Sequence, residues 1–170
     1  RARDASGNVG PVSAAVLLTV DAFAPDSPVI ESSGVFSTGT PLITGRAEPL
    51  VSVRIFDGAT LIGSVSVAAN GFWRFTPGNA LAEGAHSITA VATDAAGNTG
   101  GFSTAVVVSI DTVAPAAPVV TPATASVATP TLSGTAEAGS LVRLFAGPTV
   151  LGSGRADSGG TWRIKLGVSL

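Results

Sequence analysis

The sequence predicts an all-β chain built of tandem two-sheet sandwiches. Three observations carry this prediction. Short apolar or alternating runs recur roughly every 8–12 positions, with turn residues between them. The 170 residues include 21 glycines, 11 prolines and 45% hydrophobic side chains, a composition of strands and turns that can bury a core. The chain also repeats itself with a period of about 90 residues.

The repeat is legible residue by residue. Asp4-Ala-Ser-Gly-Asn8 returns as Asp94-Ala-Ala-Gly-Asn98, and Asp21 to Pro25 returns as Asp111 to Pro115. Thr40-Pro41-Leu42-Ile43-Thr44-Gly45 matches Thr129-Pro130-Thr131-Leu132-Ser133-Gly134, Val53-Arg54-Ile55-Phe56 matches Val142-Arg143-Leu144-Phe145, and Trp73-Arg74 matches Trp162-Arg163. Arg1 aligns with Val91 and Leu170 with Leu81. Residues 23–112 therefore form a complete repeat. Residues 1–22 read as the last strands of a preceding one, and 113–170 as a repeat lacking its last two strands. The expectation is a window cut from a tandem array.

Within the complete repeat, strands are predicted in order at 28–32, 41–47, 51–57, 60–68, 71–76, 86–93 and 102–110. The first two are short runs bounded by turn residues. In 51–57, Val51, Val53 and Ile55 alternate with Ser52 and Arg54. Asp57-Gly58 and Asn70-Gly71 are hairpin signals, because glycine tolerates positive φ, and they bound 60–68 and open 71–76. Ile88 in the run 86–93 is assigned to the core. In 102–110, Thr104, Val106, Val108 and Ile110 alternate with Ser103, Ala105, Val107 and Ser109. No helical stretch of useful length is found. Seven strands in about 90 residues suggest a sandwich of immunoglobulin type. Trp73 is expected in the core with Val53, Ile55, Ile88, Val106 and Val108.

Composition removes several functions. A net charge of −2 with no basic stripe speaks against nucleic acid. The absence of cysteine excludes disulfides and thiolate metal sites. The longest apolar run, Ala14 to Leu18, is too short to span a bilayer. The start, Arg-Ala-Arg-Asp, is no signal peptide, so a targeting signal is expected elsewhere in a longer polypeptide. The lone His86 cannot complete a serine–histidine–aspartate set or a metal site, no nucleotide loop is present, and no enzyme is predicted.

The acidic residues carry the functional signal. In an immunoglobulin-type sandwich the entering chain and two loops share one end. Here these are Asp21, Glu48, and Asp94 with Asn98. Carboxylates brought together repel unless a cation joins them, and hard oxygen ligands favour Ca²⁺. The set recurs as Asp111 and Glu137, with Asp4 and Asn8 representing the loop of the preceding repeat. Asp26, Asp57 and Asp157 have no acidic counterpart. A plainer reading stands beside this one: Asp-Ala-Ala-Gly-Asn is also an ordinary turn, with Asp and Asn capping backbone N–H groups.

The run "TPLITGRAEP…VRIFDGATLIGS…NGFWRFTP…LAEGAHSITAVATDAAGNTG…SIDTVAP" resembles the bacterial Ig-like tandem repeats of giant surface adhesins, the biofilm-associated and RTX-type proteins of Gram-negative bacteria. The resemblance covers essentially the whole chain. It implies an extracellular or cell-surface extender module with Ca²⁺ at its joints, whose partners are neighbouring Ig-like modules. Adhesion to host or matrix would then lie in regions outside this segment, and no membrane insertion is implied within it. Two other readings remain open. One is a glycan-binding module, for which Trp73 and Trp162 would need to be exposed. The other is a filament subunit joined to neighbouring chains by strand complementation.

Overall fold

The computed structural model describes residues 1–122 and 129–167; the alignment of Leu170 with Leu81 lies outside the described residues. The chain divides into two units, Arg1–Thr112 and Val113–Leu170. No helix occurs among the described residues, and the fold is all-β.

The first unit contains β1 (Val29–Ile30), β2 (Gly34–Phe36), β3 (Ile43–Arg46), β4 (Ser52–Asp57), β5 (Thr60–Ser66), β6 (Phe72–Phe75), β7 (Gly84–Thr93), β8 (Thr99–Phe102) and β9 (Val106–Ile110). One sheet has the order β1-β3-β6. The other has the order β2-β9-β7-β4-β5, with β8 also paired to β7. The sandwich core lies between them. Ile43, Val53, Ile55, Ile88 and Val108 have no exposed surface, and Trp73 is 2% exposed. Val106, expected in the core, is half-buried at its margin.

Two strands are missing from the sequence expectation: β2, which lies outside the predicted runs, and β8, of which the predicted run 102–110 holds only Phe102. The run 28–32 yields β1, after which the chain crosses to the other sheet and continues as β2, parallel to β9. Gly34, at φ +108°, makes that crossing; a three-residue strand after a glycine leaves no periodic signal. The run 102–110 is interrupted at Ser103. Its buried Oγ accepts the Ala90 N–H at 3.0 Å and donates to the Thr104 carbonyl at 3.0 Å, taking a place in the ladder that a backbone group would hold. Both hairpin signals are borne out: Gly58 (φ +55°) turns β4 into β5, and Gly71 (φ +80°) leads into β6.

The second unit contains β10 (Val119–Val120), β11 (Thr131–Thr135), β12 (Leu141–Ala146), β13 (Thr149–Arg155) and β14 (Thr161–Lys165). Its sheets are β10-β11-β14 and β12-β13. The repeat of sequence is a repeat of register. Gly45 lies opposite Trp73 and Gly134 opposite Trp162, and irregularities fall between Ile55 and Phe56 and between Leu144 and Phe145. Val142, Leu144, Trp162 and Ile164 are buried in this unit's own cluster.

The tryptophan–glycine pairing fixes the three-stranded sheet in each unit. A Cβ on Gly45 would overlap the Val29 carbonyl and the Trp73 indole, and one on Gly134 would meet the Val119 carbonyl and the Trp162 indole. Glycine is required there because the ring lies directly over the backbone of the neighbouring strand. Trp73→Ala removes that ring and is expected to destabilise by about 3–5 kcal/mol. Gly45→Ala overpacks the same contact and is expected to cost about 1–3 kcal/mol. Chemical denaturation of both variants checks this; a change within about 0.5 kcal/mol of wild type for either would show that the contact is not structural.

Candidate functional site at the incoming linker

The segment Asp21–Pro28 leads into β1 and is held by three neighbours. Pro25 and Pro28 are buried. Pro25 runs across β8: a Cβ on Gly100 would overlap the Pro25 carbonyl, so glycine at this position admits the linker. Glu48, in the loop before β4, accepts the Asp26 N–H at 2.7 Å. Asn98, in the loop between β7 and β8, donates its Nδ2 to the Asp21 carbonyl at 3.1 Å. Asp21 accepts the Phe23 N–H on its own Oδ1 at 3.1 Å, a local turn that directs the chain toward Pro25.

Asp94 positions Asn98. Its Oδ1 accepts the Asn98 N–H at 2.8 Å and its Oδ2 accepts Nδ2 of the same residue at 2.8 Å. The loop closes between backbones as well, with Asp94 N–H donating to the Asn98 carbonyl at 3.0 Å and Gly97 at φ +93°. The side-chain hydrogen bond from Asn98 holds the Asp94 carboxyl below the usual carboxylate range, against a smaller opposing effect of burial.

Residues 4–8 repeat this geometry. Asn8 donates its N–H to Asp4 Oδ1 at 2.9 Å and its Nδ2 to Oδ2 at 2.8 Å, and Gly7 sits at φ +96°. Asp4 is held low by Asn8 in the same way. The loop is flanked by the bridge between Arg3 and Val9, with Arg3 Nε donating to the Gly7 carbonyl at 3.1 Å and the Gly10 N–H to the Ala2 carbonyl at 2.9 Å, so residues 2–10 suffice to build it. The turn reading of the Asp…Asn recurrence thus accounts for its internal geometry. Its reach to Asp21 accounts for its position.

The other predicted ligands fall differently. Asp111 follows β9 in the first unit, and its N–H donates to the Phe36 carbonyl at 2.9 Å. Glu137 lies in the second unit between β11 and β12, where its carbonyl accepts the Ser140 N–H at 3.0 Å. The residue that matches Asp26 is Ala116, so the second unit keeps a backbone N–H at the position that Glu48 grips in the first and drops only the carboxylate. Pro115 and Pro118 are exposed, unlike Pro25 and Pro28.

Among the described residues, no three His, Cys, Asp or Glu side chains gather closely enough to hold a metal ion. The linker seat brings together the Asp21 carbonyl, the Asp94 carboxylate and the Asn98 amide, and it ties Glu48 separately to Asp26. Those oxygens are hard ligands, but they fall short of the roughly 6–8 that Ca²⁺ takes. The fit is partial.

Sequence reasoning missed the opposite end of the module. His86 bonds Asp57 there, and Glu83 bonds Thr112. Asp57 carries no repeat signal, since Ala146 stands at its matching position, and a contact across 29 residues leaves no local spacing. Trp73 and Trp162 are buried, so neither ring can stack on a sugar.

Residues 17–112 match the family model described as bacterial Ig-like domain. Among curated proteins no match is found. Similar solved structures include a tetra-tandem repeat in the extending region of a large adhesion protein, at 21% identity and TM-score 0.39, covering 97% of this chain and 46% of that one. Another is the BSP domain of a biofilm-associated protein, at 14% identity and TM-score 0.34, covering 85% of this chain and 25% of that one. The chain spans less than half the length of either.

Two consequences are measurable at the linker. Asn98→Ala cuts the tether to Asp21, and Glu48→Ala cuts that to Asp26. Each is expected to raise amide exchange in residues 22–27 and leave exchange at Val108 unchanged. Because Asp94 is held low, its contribution is complete above the ordinary carboxylate value of about 4 and is lost as pH falls through the lowered folded value. The Asn98 amide should therefore keep its protection from neutrality down to about pH 4 and lose it only in stronger acid.

Proposed function

The chain belongs to the bacterial Ig-like domain family, and from that premise we propose that it is a structural extender segment of a bacterial surface or secreted adhesin, supporting cell adhesion and biofilm formation. The observation that supports this most is the seated linker. Buried prolines, a glycine that admits the backbone and two side-chain tethers make the entering segment part of the sandwich. A module that grips its own linker limits the hinge on which a stack of modules bends. In this reading the partners are neighbouring Ig-like modules, the location is extracellular, and the segment does no catalysis.

Calcium at the joints belongs to the same proposal. The recurrent acids support it, and the few oxygens at the linker seat would be completed by water or by an adjoining module. Small-angle scattering and thermal melting of the whole chain, with Ca²⁺ and with EDTA, test it. The proposal expects an elongated particle whose profile narrows and whose Tm rises with Ca²⁺. Asp94→Ala should lose that response and Asp57→Ala should keep it. A compact particle would contradict the extender reading. An elongated particle indifferent to Ca²⁺ would assign stiffness to the linker contacts and leave the acids as turn formers.

One observation favours a second reading for residues 16–20. They match β9, where Val108 and Ile110 are buried, yet Val16, Leu17, Leu18 and Val20 are 79–92% exposed. In this reading they form the last strand of another sandwich, in the same polypeptide or in a neighbouring chain. Light scattering distinguishes these. Self-association abolished by Leu18→Asp would support joining between chains, and a concentration-independent monomer would oppose it.

A further inference from the structure

We infer that His86 is an acid-closed latch on the segment by which the chain leaves the complete module. The latch rests on which atoms face the imidazole. Nδ1 lies 2.6 Å from Asp57 Oδ2 at the end of β4, and Nε2 lies 2.9 Å from the carbonyl oxygen of Ala82 in the loop before β7. Both partners are acceptors. A neutral imidazole carries one N–H and can donate to only one of them; the imidazolium donates to both. The geometry is that of the protonated ring.

The ring is shielded enough for this to matter, with side-chain exposures of 13% for His86 and 26% for Asp57. The charged surroundings are few. Among the described residues, β9, β2 and β5 contribute no charged side chain, Arg54 alternates away from Asp57 along β4, and the acids on the adjoining segments are Glu83 before β7 and Asp111 just past β9. Glu83 is engaged elsewhere. Its two carboxylate oxygens accept the Thr112 N–H at 3.1 and 3.2 Å, and Oε1 also accepts the Thr112 hydroxyl.

This places two tethers in one short loop. Ala82 is held by His86, and the next residue, Glu83, holds Thr112 just beyond β9. When His86 loses its proton, the ring keeps its N–H toward Asp57, and the bare Nε2 then faces the Ala82 carbonyl. Two lone pairs at that distance repel. The loop is released on that side, and Glu83 loses the support that aims it at Thr112. The Ala82 carbonyl, foremost, and then Asp57 raise the His86 pKa, with burial opposing. The sign follows: the latch is fully closed below the ordinary histidine value of about 6.5 and opens as pH rises through the raised folded value. His86 acts here as a positioning residue for Glu83. The inference concerns the module itself and does not depend on the extender reading.

An NMR titration of the whole chain tests it, following the His86 ring and the Thr112 amide protection factor corrected for intrinsic exchange. The inference expects a His86 pKa above about 6.5 and a fall of about tenfold in Thr112 protection with the same midpoint. Asp57→Asn keeps a turn-compatible residue and should lower that midpoint. His86→Gln should remove the step, and Glu83→Gln should weaken Thr112 protection at all pH values while leaving the His86 titration in place. The inference is overturned by a His86 pKa at or below about 6.5, by Thr112 protection that does not change at the His86 midpoint, or by a step that persists in His86→Gln. Should His86→Gln fail to fold, the midpoint shift in Asp57→Asn decides.

Discussion

The rest of the structure depends on an indole ring lying over a glycine. Trp73 closes the core over Gly45, and the two residues are register partners between β6 and β3. The ring fills the space between the sheets while the missing side chain leaves room for the Val29 carbonyl of β1 and the Trp73 ring of β6 on either side of β3. Shape carries this contact, because the Trp73 and Trp162 indole N–H groups are buried without a hydrogen-bond partner among the described residues. An unpaired buried N–H costs about 1–3 kcal/mol, so the apolar contact must exceed that for the arrangement to persist. That it persists in both units, with identical register, marks it as the constraint the repeat preserves.

Once the small sheet is fixed, the path of the linker follows. β1 is the edge of that sheet, and the residues just before it must pass the end of the sandwich where β8 and the loop before β4 lie. Gly100 admits the Pro25 backbone there, while Glu48 and Asn98 close on either side. Core packing thereby becomes linker geometry, and linker geometry is the property that an extender requires. At the far end, β7 and β4 bring His86 to Asp57, and the loop leading into β7 reaches Thr112. Entry and exit are held by different chemistry. Proline burial and neutral-pH hydrogen bonds hold the first, and an ionisable ring supports the second.

The sequence carries most of the fold because its signals are local or periodic. Alternation in 51–57 puts Val51, Val53 and Ile55 on one face, and all three are buried. Asp57-Gly58 and Asn70-Gly71 marked their turns through backbone sterics alone. What alternation does not encode is a change of partner. The chain crosses sheets at Gly34 and enters the ladder through a serine hydroxyl at Ser103, and neither event alters the apolar pattern. The joint was partly legible. Recurrence picked out Asp21, Glu48, Asp94 and Asn98, and Asp94, Asn98 and Glu48 do hold the linker. Recurrence could not show that Glu48 reaches Asp26 while Asn98 reaches Asp21. It was silent on Asp57, whose matching position holds Ala146, and on His86, whose matching positions lie outside the given sequence.

The central claim is that the entering linker is part of the sandwich. The ¹⁵N heteronuclear NOE of the linker amides tests this most directly, because it reports motion faster than overall tumbling. The account predicts values for Phe23, Asp26 and Ser27 equal to those of β4 and β9 in the same unit. Values well below those strands, at the level of a free segment, would show that the buried prolines and two tethers do not restrain the chain, and the claim would fail.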